Sequence, residues 1–133
     1  MRTEPFFLED ARKLARNNSW FRHVIYTGDY SQVALMALPP GEEIGDEMHE
    51  GTDQIFLIVE GSGEAILDGR RLPIVRHDLV TVRSGTRHNI RNPGREDLKL
   101  VTIYSPAAYA EGTIHRTRED AIGAMVSRDT TFS

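Results

Sequence analysis

Residues 47–61 read EMHEGTDQIFLIVEG, a short polar stretch that leads directly into an apolar strand. Glu47 and His49 are two positions apart, so an extended segment places their side chains on the same face. Gln54 opens the next strand, and Phe56 and Ile58 share its face. The sequence therefore predicts that polar side chains enter the inward face of a β-structure at this point.

A second stretch, residues 86–92, alternates in the same way. One face carries Thr86, His88, Ile90 and Asn92, and the other carries Arg87, Asn89 and Arg91. We expect the arginine-bearing face to point outward and the other face to point inward. Polar side chains inside a barrel need partners, and a metal ion would satisfy several of them at once.

The rest of the chain between residues 21 and 104 consists of short runs rich in Val, Ile, Leu, Tyr and Thr, separated by turn residues. Such runs at regular spacing predict an all-β barrel or sandwich. Asp68-Gly69 predicts a type I′ hairpin turn, which needs positive φ at both central residues. We expect strands at residues 22–27, 31–38, 47–49, 54–60, 63–67, 71–75, 79–83, 87–91 and 98–104.

Short helices are expected on both sides of the strands. Residues 8–17 place apolar side chains on one helical face. After Pro106 we expect the chain to leave the sheet. A capping-type sequence at residues 117–120, TRED, then predicts a helix over residues 119–126.

Composition limits the classes of function. The chain has 133 residues, of which 39% are hydrophobic, so one domain with a packed core is expected. A net charge of -4 argues against binding to nucleic acid or to an anionic membrane surface. The absence of cysteine excludes disulfides and thiolate-bound metals. Neither a membrane-length apolar run nor a signal-peptide pattern is present, so a cytoplasmic protein is expected.

Two spaced motifs resemble the signatures of the cupin superfamily. The first is Gly41-x5-Glu47-x-His49-x4-Gln54-x6-Gly61, and the second is His77-x5-Arg83-x-Gly85-x2-His88-x3-Asn92. Residues 98–106 and 111–115 are similar to short bacterial cupins that are often labelled mannose-6-phosphate isomerase-like. The resemblance implies a single cupin domain over residues 1–133, with a double-stranded β-helix (jelly-roll barrel) core at about 21–105 and a tail with a helix over 106–133.

The resemblance also implies one divalent metal ion, with Glu47, His49, Gln54 and His88 as its ligands. Glu47 stands where the family has its first histidine, and Gln54 stands where the family has its glutamate. Because one imidazole is traded for an oxygen donor, the set favours Mn or Fe, while Zn, Ni and Co remain open. Two alternatives also remain open: Glu47 as a rim carboxylate, and Gln54 as a partner of a bound water or substrate.

The expected function is a metal-dependent enzyme of the isomerase, epimerase or lyase type, acting on a sugar, a sugar phosphate or a similar small polar substrate. His115 and Tyr104 are the candidate catalytic residues; the alternatives are a surface histidine and a core tyrosine. An Fe-dependent dioxygenase and a non-catalytic ligand-binding module are the other hypotheses. A homodimer is expected from the resemblance, and the two apolar faces of residues 100–103 are compatible with a covered outer sheet face.

Overall fold

The structure, a computed structural model, describes residues 4–132, with side chains described through residue 125. Eight of the nine predicted strands are confirmed, with ends that differ by at most one residue. Within the described residues the elements are α1 (Ala11–Asn17), β1 (Arg22–Thr27), β2 (Gln32–Leu38), β3 (Asp53–Glu60), β4 (Ser62–Leu67), β5 (Arg70–Val75), β6 (Leu79–Val82), β7 (His88–Arg91), β8 (Leu98–Ser105), β9 (Ile114–His115) and α2 (Arg118–Phe132).

The strands form two sheets that enclose one apolar core. The larger sheet has the order β6-β3-β8-β2-β1-β9, and the smaller has the order β5-β4-β7. Period-two alternation selects the core side chains, because β3 buries Gln54, Phe56 and Ile58 while Leu57 between them is exposed. The core also contains Met36, Leu38, Ala65, Ile74, Ile90, Leu98 and Leu100. The predicted all-β architecture is confirmed.

Two local sequence signals form the structures expected of them. Asp68 and Gly69 have φ values of 52° and 84°, as a type I′ turn requires. At the start of α2, Thr117 Oγ1 accepts from the Asp120 amide at 3.0 Å, and Asp120 Oδ2 accepts from the Thr117 amide at 3.3 Å. This reciprocal cap fixes where α2 begins, and the helix extends past the expected end at residue 126.

Two element predictions were wrong, one in where a helix begins and one in that a strand does not form. Helix α1 begins at Ala11 and not at Leu8, because the Asp10 carboxylate caps it by accepting from the Lys13 amide at 3.1 Å. Residues 47–49 form no regular strand and meet β7 only at an isolated bridge. Gly45 and Gly51 on either side adopt φ values of 118° and 83°, which interrupt regular pairing.

The tail does not leave the larger sheet entirely after Pro106. Strand β9 pairs with β1, with Arg22 opposite His115 and His23 opposite Ile114. This short pairing anchors the tail at one end of the barrel. It places His115 next to an inward-facing residue of β1.

Helix α1 covers the outer face of the larger sheet. Val101 of β8 is buried together with Ala15 of α1, Leu35 and Val59. Packing within the chain therefore accounts for the apolar outer position at Val101, and the homodimer stays a prediction. No helix in the described part of the chain has the length and apolar character to cross a membrane.

The alternating burial along β3 predicts that a substitution on its inward face lowers stability far more than one on its outward face. Phe56→Ala should lower the free energy of unfolding by about 3–5 kcal/mol, because the ring is fully buried and removing it leaves a cavity. Urea denaturation measures the change. Leu57→Ala is the control, because Leu57 is 37% exposed, and it should cost less than about 1 kcal/mol. Equal losses would contradict the assignment of the two faces.

Candidate metal centre

The candidate site is built where residues 43–49 lie antiparallel to β7. The Glu47 amide donates to the His88 carbonyl, and the His88 amide donates to the Glu47 carbonyl, both at 2.8 Å. The Gly85 amide donates to the His49 carbonyl at 2.8 Å. Backbone hydrogen bonds therefore hold the two segments that carry Glu47, His49 and His88.

Glu47, His49 and His88 form a cluster whose potential ligand atoms all lie within 4.8 Å of one another. Glu47 Oε1 and His49 Nε2 are 3.6 Å apart. Both atoms are buried without a hydrogen-bond partner among the described residues, a situation that is unfavourable unless another group satisfies them. Carboxylate oxygen and imidazole nitrogen are both ligands of divalent transition metals. The residues present therefore fit a metal ion.

The orientation of His88 also suits a ligand. His88 is buried, and its Nδ1 lies 2.9 Å from the Thr86 carbonyl oxygen. Because a carbonyl only accepts, Nδ1 carries the ring proton, and Nε2 of the neutral ring keeps its lone pair. A backbone carbonyl behind the ring is the usual outer partner of a metal-binding histidine.

Gln54 joins the cluster through His88. Its Oε1 lies 3.0 Å from His88 Nε2, and its Nε2 donates to Thr102 Oγ1 at 3.1 Å. In the tautomer set by Thr86, Oε1 and His88 Nε2 are two acceptors that face each other. A cation against both atoms relieves this repulsion, and so does an amide turned by 180°. The first arrangement makes Gln54 a direct ligand, whereas in the second the Gln54 amide donates to the lone pair of His88 Nε2, which is then not available to a metal ion.

A cavity of about 370 Å³ lies next to the cluster, between the barrel and the tail. Its volume is at the lower end of the range for small-molecule sites. Glu47 is the one cluster residue that lines it, so this carboxylate stands between the cluster and the cavity. The polar lining consists of Arg22, Glu47, Tyr109, Thr113, His115 and Arg118.

Both candidate catalytic residues contact Arg22, which is 3% exposed. Arg22 Nε donates to Tyr104 Oη at 3.3 Å, and Arg22 Nη1 donates to His115 Nδ1 at 3.2 Å. His115 lines the cavity. Tyr104 is fully buried, as in the alternative interpretation of a core tyrosine.

Burial and Arg22 determine the charge states around the cavity. Burial and the nearby Arg22 charge lower the pKa of His115, against a smaller opposite effect of Asp120. Burial raises the pKa of Tyr104 and of Tyr109. Burial alone would lower the pKa of Arg22, but Tyr104, Tyr109 and Glu47 outweigh it. Near neutral pH, Arg22 is therefore charged while its two tyrosines and His115 are neutral.

The prediction from sequence missed two buried groups near the site, Arg22 and Thr102, and the half-buried Tyr109. Arg22 carried a usable signal, because it is a charged residue that alternates with inward-facing Val24 on a predicted strand. Thr102 alternates with Leu100 and Tyr104 and could be found in the same way. Tyr109 lies in an irregular part of the tail, where no periodic pattern marks an inward position.

Comparison with known proteins gives the class. Residues 34–104 match the family described as Cupin domain. The chain is 37% identical over 127 residues to the uncharacterised Bacillus subtilis protein YrkC, covering 91% of this chain and 68% of the relative. It is 33% identical to the solved structure of BH2720 from Bacillus halodurans, with a TM-score of 0.85 over 88% of this chain and 93% of that one.

A third relative has a ligand in its name. The chain is 37% identical over 70 residues to an oxalate-binding protein of Thermotoga maritima, covering 53% of this chain and 58% of the relative. Fold and site together define a small barrel protein with a cluster that could hold a metal ion. The chain belongs to the cupin family, and its fold is the double-stranded β-helix that the motifs implied.

The cluster predicts how single substitutions affect metal binding. His49→Ala should weaken Mn²⁺ binding at least about 100-fold, beyond the 10–100-fold typical of changes to outer partners. Glu47→Ala should cause a comparable loss, because it removes the anionic ligand. Metal titration followed by elemental analysis measures both.

The control for this experiment is His77→Asn. His77 is exposed and has a φ of 81°, which asparagine tolerates. This variant should bind metal like the wild type. Full metal occupancy in His49→Ala would refute the cluster as the site, whereas full occupancy in Glu47→Ala alone would make Glu47 a rim carboxylate.

Proposed function

We propose that this chain is a divalent-metal-dependent enzyme that acts on a small, oxygen-rich substrate bound in the cavity next to Glu47. One observation carries the proposal: Glu47 Oε1 and His49 Nε2 are buried without a hydrogen-bond partner among the described residues, and His88 lies within 4.8 Å of them. Satisfying these atoms requires a cation or a proton shared between them. The adjoining cavity supplies room for a small ligand.

The proposed ligands are Glu47, His49 and His88, with the Gln54 amide oxygen as the fourth donor. Two imidazoles and two oxygens make a harder set than three imidazoles and one carboxylate. The proposed metal is therefore Mn²⁺ or Fe²⁺, while Zn²⁺, Ni²⁺ and Co²⁺ use the same kinds of donor.

The residues around the cavity have different proposed roles. A bound divalent ion supplies Lewis-acid polarisation of a substrate oxygen. His115 accepts from Arg22 through Nδ1, so its Nε2 carries the ring proton and is the nitrogen left to donate to a substrate oxygen. Ile44, Ala121 and Met125 are among the apolar lining residues that limit water in the cavity.

The reaction class we propose is an isomerase, epimerase or lyase reaction in which a proton is moved at the carbon next to a carbonyl. Tyr104 is fully buried, accepts a hydrogen bond from Arg22 and is not among the described residues that line the cavity, which favours a core role for it over contact with the substrate. Glu47 is the carboxylate among the described residues that line the cavity, and we assign removal of the substrate proton to it.

A non-catalytic binding module is the second candidate function. It is favoured by the engagement of His115 with Arg22 and by the burial of Tyr104, which leave Glu47 as the main candidate base. The relative named as an oxalate-binding protein supports a small oxygen-donor ligand under either candidate.

Deuterium exchange separates the two candidates. The Mn²⁺- or Fe²⁺-loaded protein is incubated in D₂O with a panel of sugars, sugar phosphates and small hydroxy and oxo acids, and ¹H NMR follows loss of substrate C–H signals. We expect exchange in at least one compound, abolished in His49→Ala and retained in His77→Asn.

Two other outcomes of this experiment would support the alternative functions. Melting-temperature shifts without exchange or turnover would contradict the enzyme and support the binding module. Oxygen consumption by the Fe²⁺-loaded protein with an added substrate would instead support the dioxygenase.

A further inference from the structure

Arg22 is a buried charge that forms no salt bridge with a described carboxylate. It is 3% exposed, and no carboxylate of the described residues lies within ion-pair distance of its guanidinium. Glu47 acts on it only from a longer distance. A buried charge is rarely left without an ion pair, because removing it from water costs roughly several kcal/mol. The position therefore suits an anion in addition to the carboxylates that the described residues provide.

The contacts of Arg22 determine which of its N–H donors remain available to a ligand. Nε donates to Tyr104 Oη and one Nη1 hydrogen points to His115 Nδ1, which uses two of the five N–H donors. The guanidinium carbon lies 4.4 Å from the Tyr109 ring centroid and 5.1 Å from that of Phe21. These rings hold the guanidinium plane in place, and the remaining donors lack protein partners among the described residues.

The cavity lined by Arg22 favours an anionic ligand as a whole. Arg22 and Arg118 both line it, and Glu47 is the one carboxylate among its described lining residues. Arg118 donates to the Ile44 carbonyl and interacts with Glu42. When Glu47 is engaged by a metal ion, its charge is balanced there, and Arg22 has no other carboxylate among the described lining residues. A neutral sugar would leave the charge of Arg22 without a counterion in the cavity.

The donors suit a carboxylate better than a phosphate. A planar guanidinium edge matches the two oxygens of a carboxylate. Phosphate sites usually add backbone amides at a helix N-terminus. Here the start of α2 is closed by its own cap, in which the Asp120 carboxylate accepts from the Thr117 amide and Thr117 Oγ1 accepts from the Asp120 amide, so these two amides are not free to bind a phosphate.

We propose that Arg22 binds a carboxylate group of the substrate, whose other oxygen-bearing end is directed toward the Glu47–His49–His88 cluster. This inference rests on the proposed function and narrows its substrate to small organic acids. Tyr109 and Phe21 restrict the guanidinium plane, and Tyr104 and His115 set its rotation.

Binding of matched acids and amides tests the inference. The Mn²⁺-loaded protein is titrated by calorimetry with malonate and succinate, each compared with its monoamide, and with inorganic phosphate. We expect at least one diacid to bind about tenfold or more tightly than its monoamide, because a charge-assisted hydrogen-bond pair is lost in the amide. Equal binding of acid and amide would overturn the inference, as would tighter binding of phosphate.

Variants assign the preference to Arg22. Arg22→Gln should remove the preference for acid over amide, and Arg22→Lys should retain only part of it, because lysine lacks the planar fork. Arg70→Gln is the matched control: it makes the same change of charge at an exposed position on β5 and should behave like the wild type. An undiminished preference in Arg22→Gln would refute the assignment.

Two further measurements distinguish failure of this inference from failure of the proposed function. Mn²⁺ titration of Arg22→Gln should give an affinity no weaker than that of the wild type, because Arg22 is not a ligand and the substitution removes a positive charge that acts on Glu47. Loss of Mn²⁺ binding in the wild type would defeat the proposed function, whereas intact Mn²⁺ binding without a carboxylate preference would defeat only this inference. If Arg22→Gln does not fold, the melting temperature of the wild type decides, since it should rise more with the diacids than with their monoamides.

Discussion

The reciprocal backbone hydrogen bonds between Glu47 and His88 are the constraint on which the site depends. They join an irregular segment to β7 and so place a carboxylate beside a histidine that is distant in sequence. His49 follows on the same side because it is two residues beyond Glu47. The turns at Gly45 and Gly51 free this segment from regular pairing, which lets the ligand-bearing residues approach one another at the end of the barrel.

Two hydrogen-bonded groups of buried polar side chains lie at the site. Gln54, Thr102 and His88 are almost fully buried and joined by hydrogen bonds. Arg22 and Tyr104 form a second buried pair. Such groups reduce the apolar area of the core and lower stability unless each is satisfied. Buried polar side chains beside the cluster are what a binding site for a polar ligand requires.

The sequence predicted the strands well, because alternation and turn residues act locally. Asp68-Gly69 is an example in which two residues determine a backbone conformation by themselves. The inward positions of Gln54 and His88 followed from period-two alternation with Phe56 and Ile90. Asn89, on the predicted outward face, is nevertheless buried, because the segment containing Gly45 and Glu43 folds over it and binds its amide.

The cavity could not be predicted from the sequence. Its walls combine β1 with the tail, and the pairing of β9 with β1 involves two residues, too few to leave a pattern. The contact between Arg22 and His115 depends on that pairing. Long-range contacts of this kind are set by the closure of the whole chain and not by local preference, so Tyr109 was not predicted and the neighbours of His115 were not foreseen.

The central claim is that two histidines of this chain bind one metal ion. Pulsed electron paramagnetic resonance of the Mn²⁺-loaded protein tests it most directly, because directly coordinated imidazole nitrogens couple to the electron spin. With ¹⁵N-labelled histidine, the account predicts coupling to two imidazoles, those of His49 and His88. A spectrum with no coordinated imidazole would contradict it.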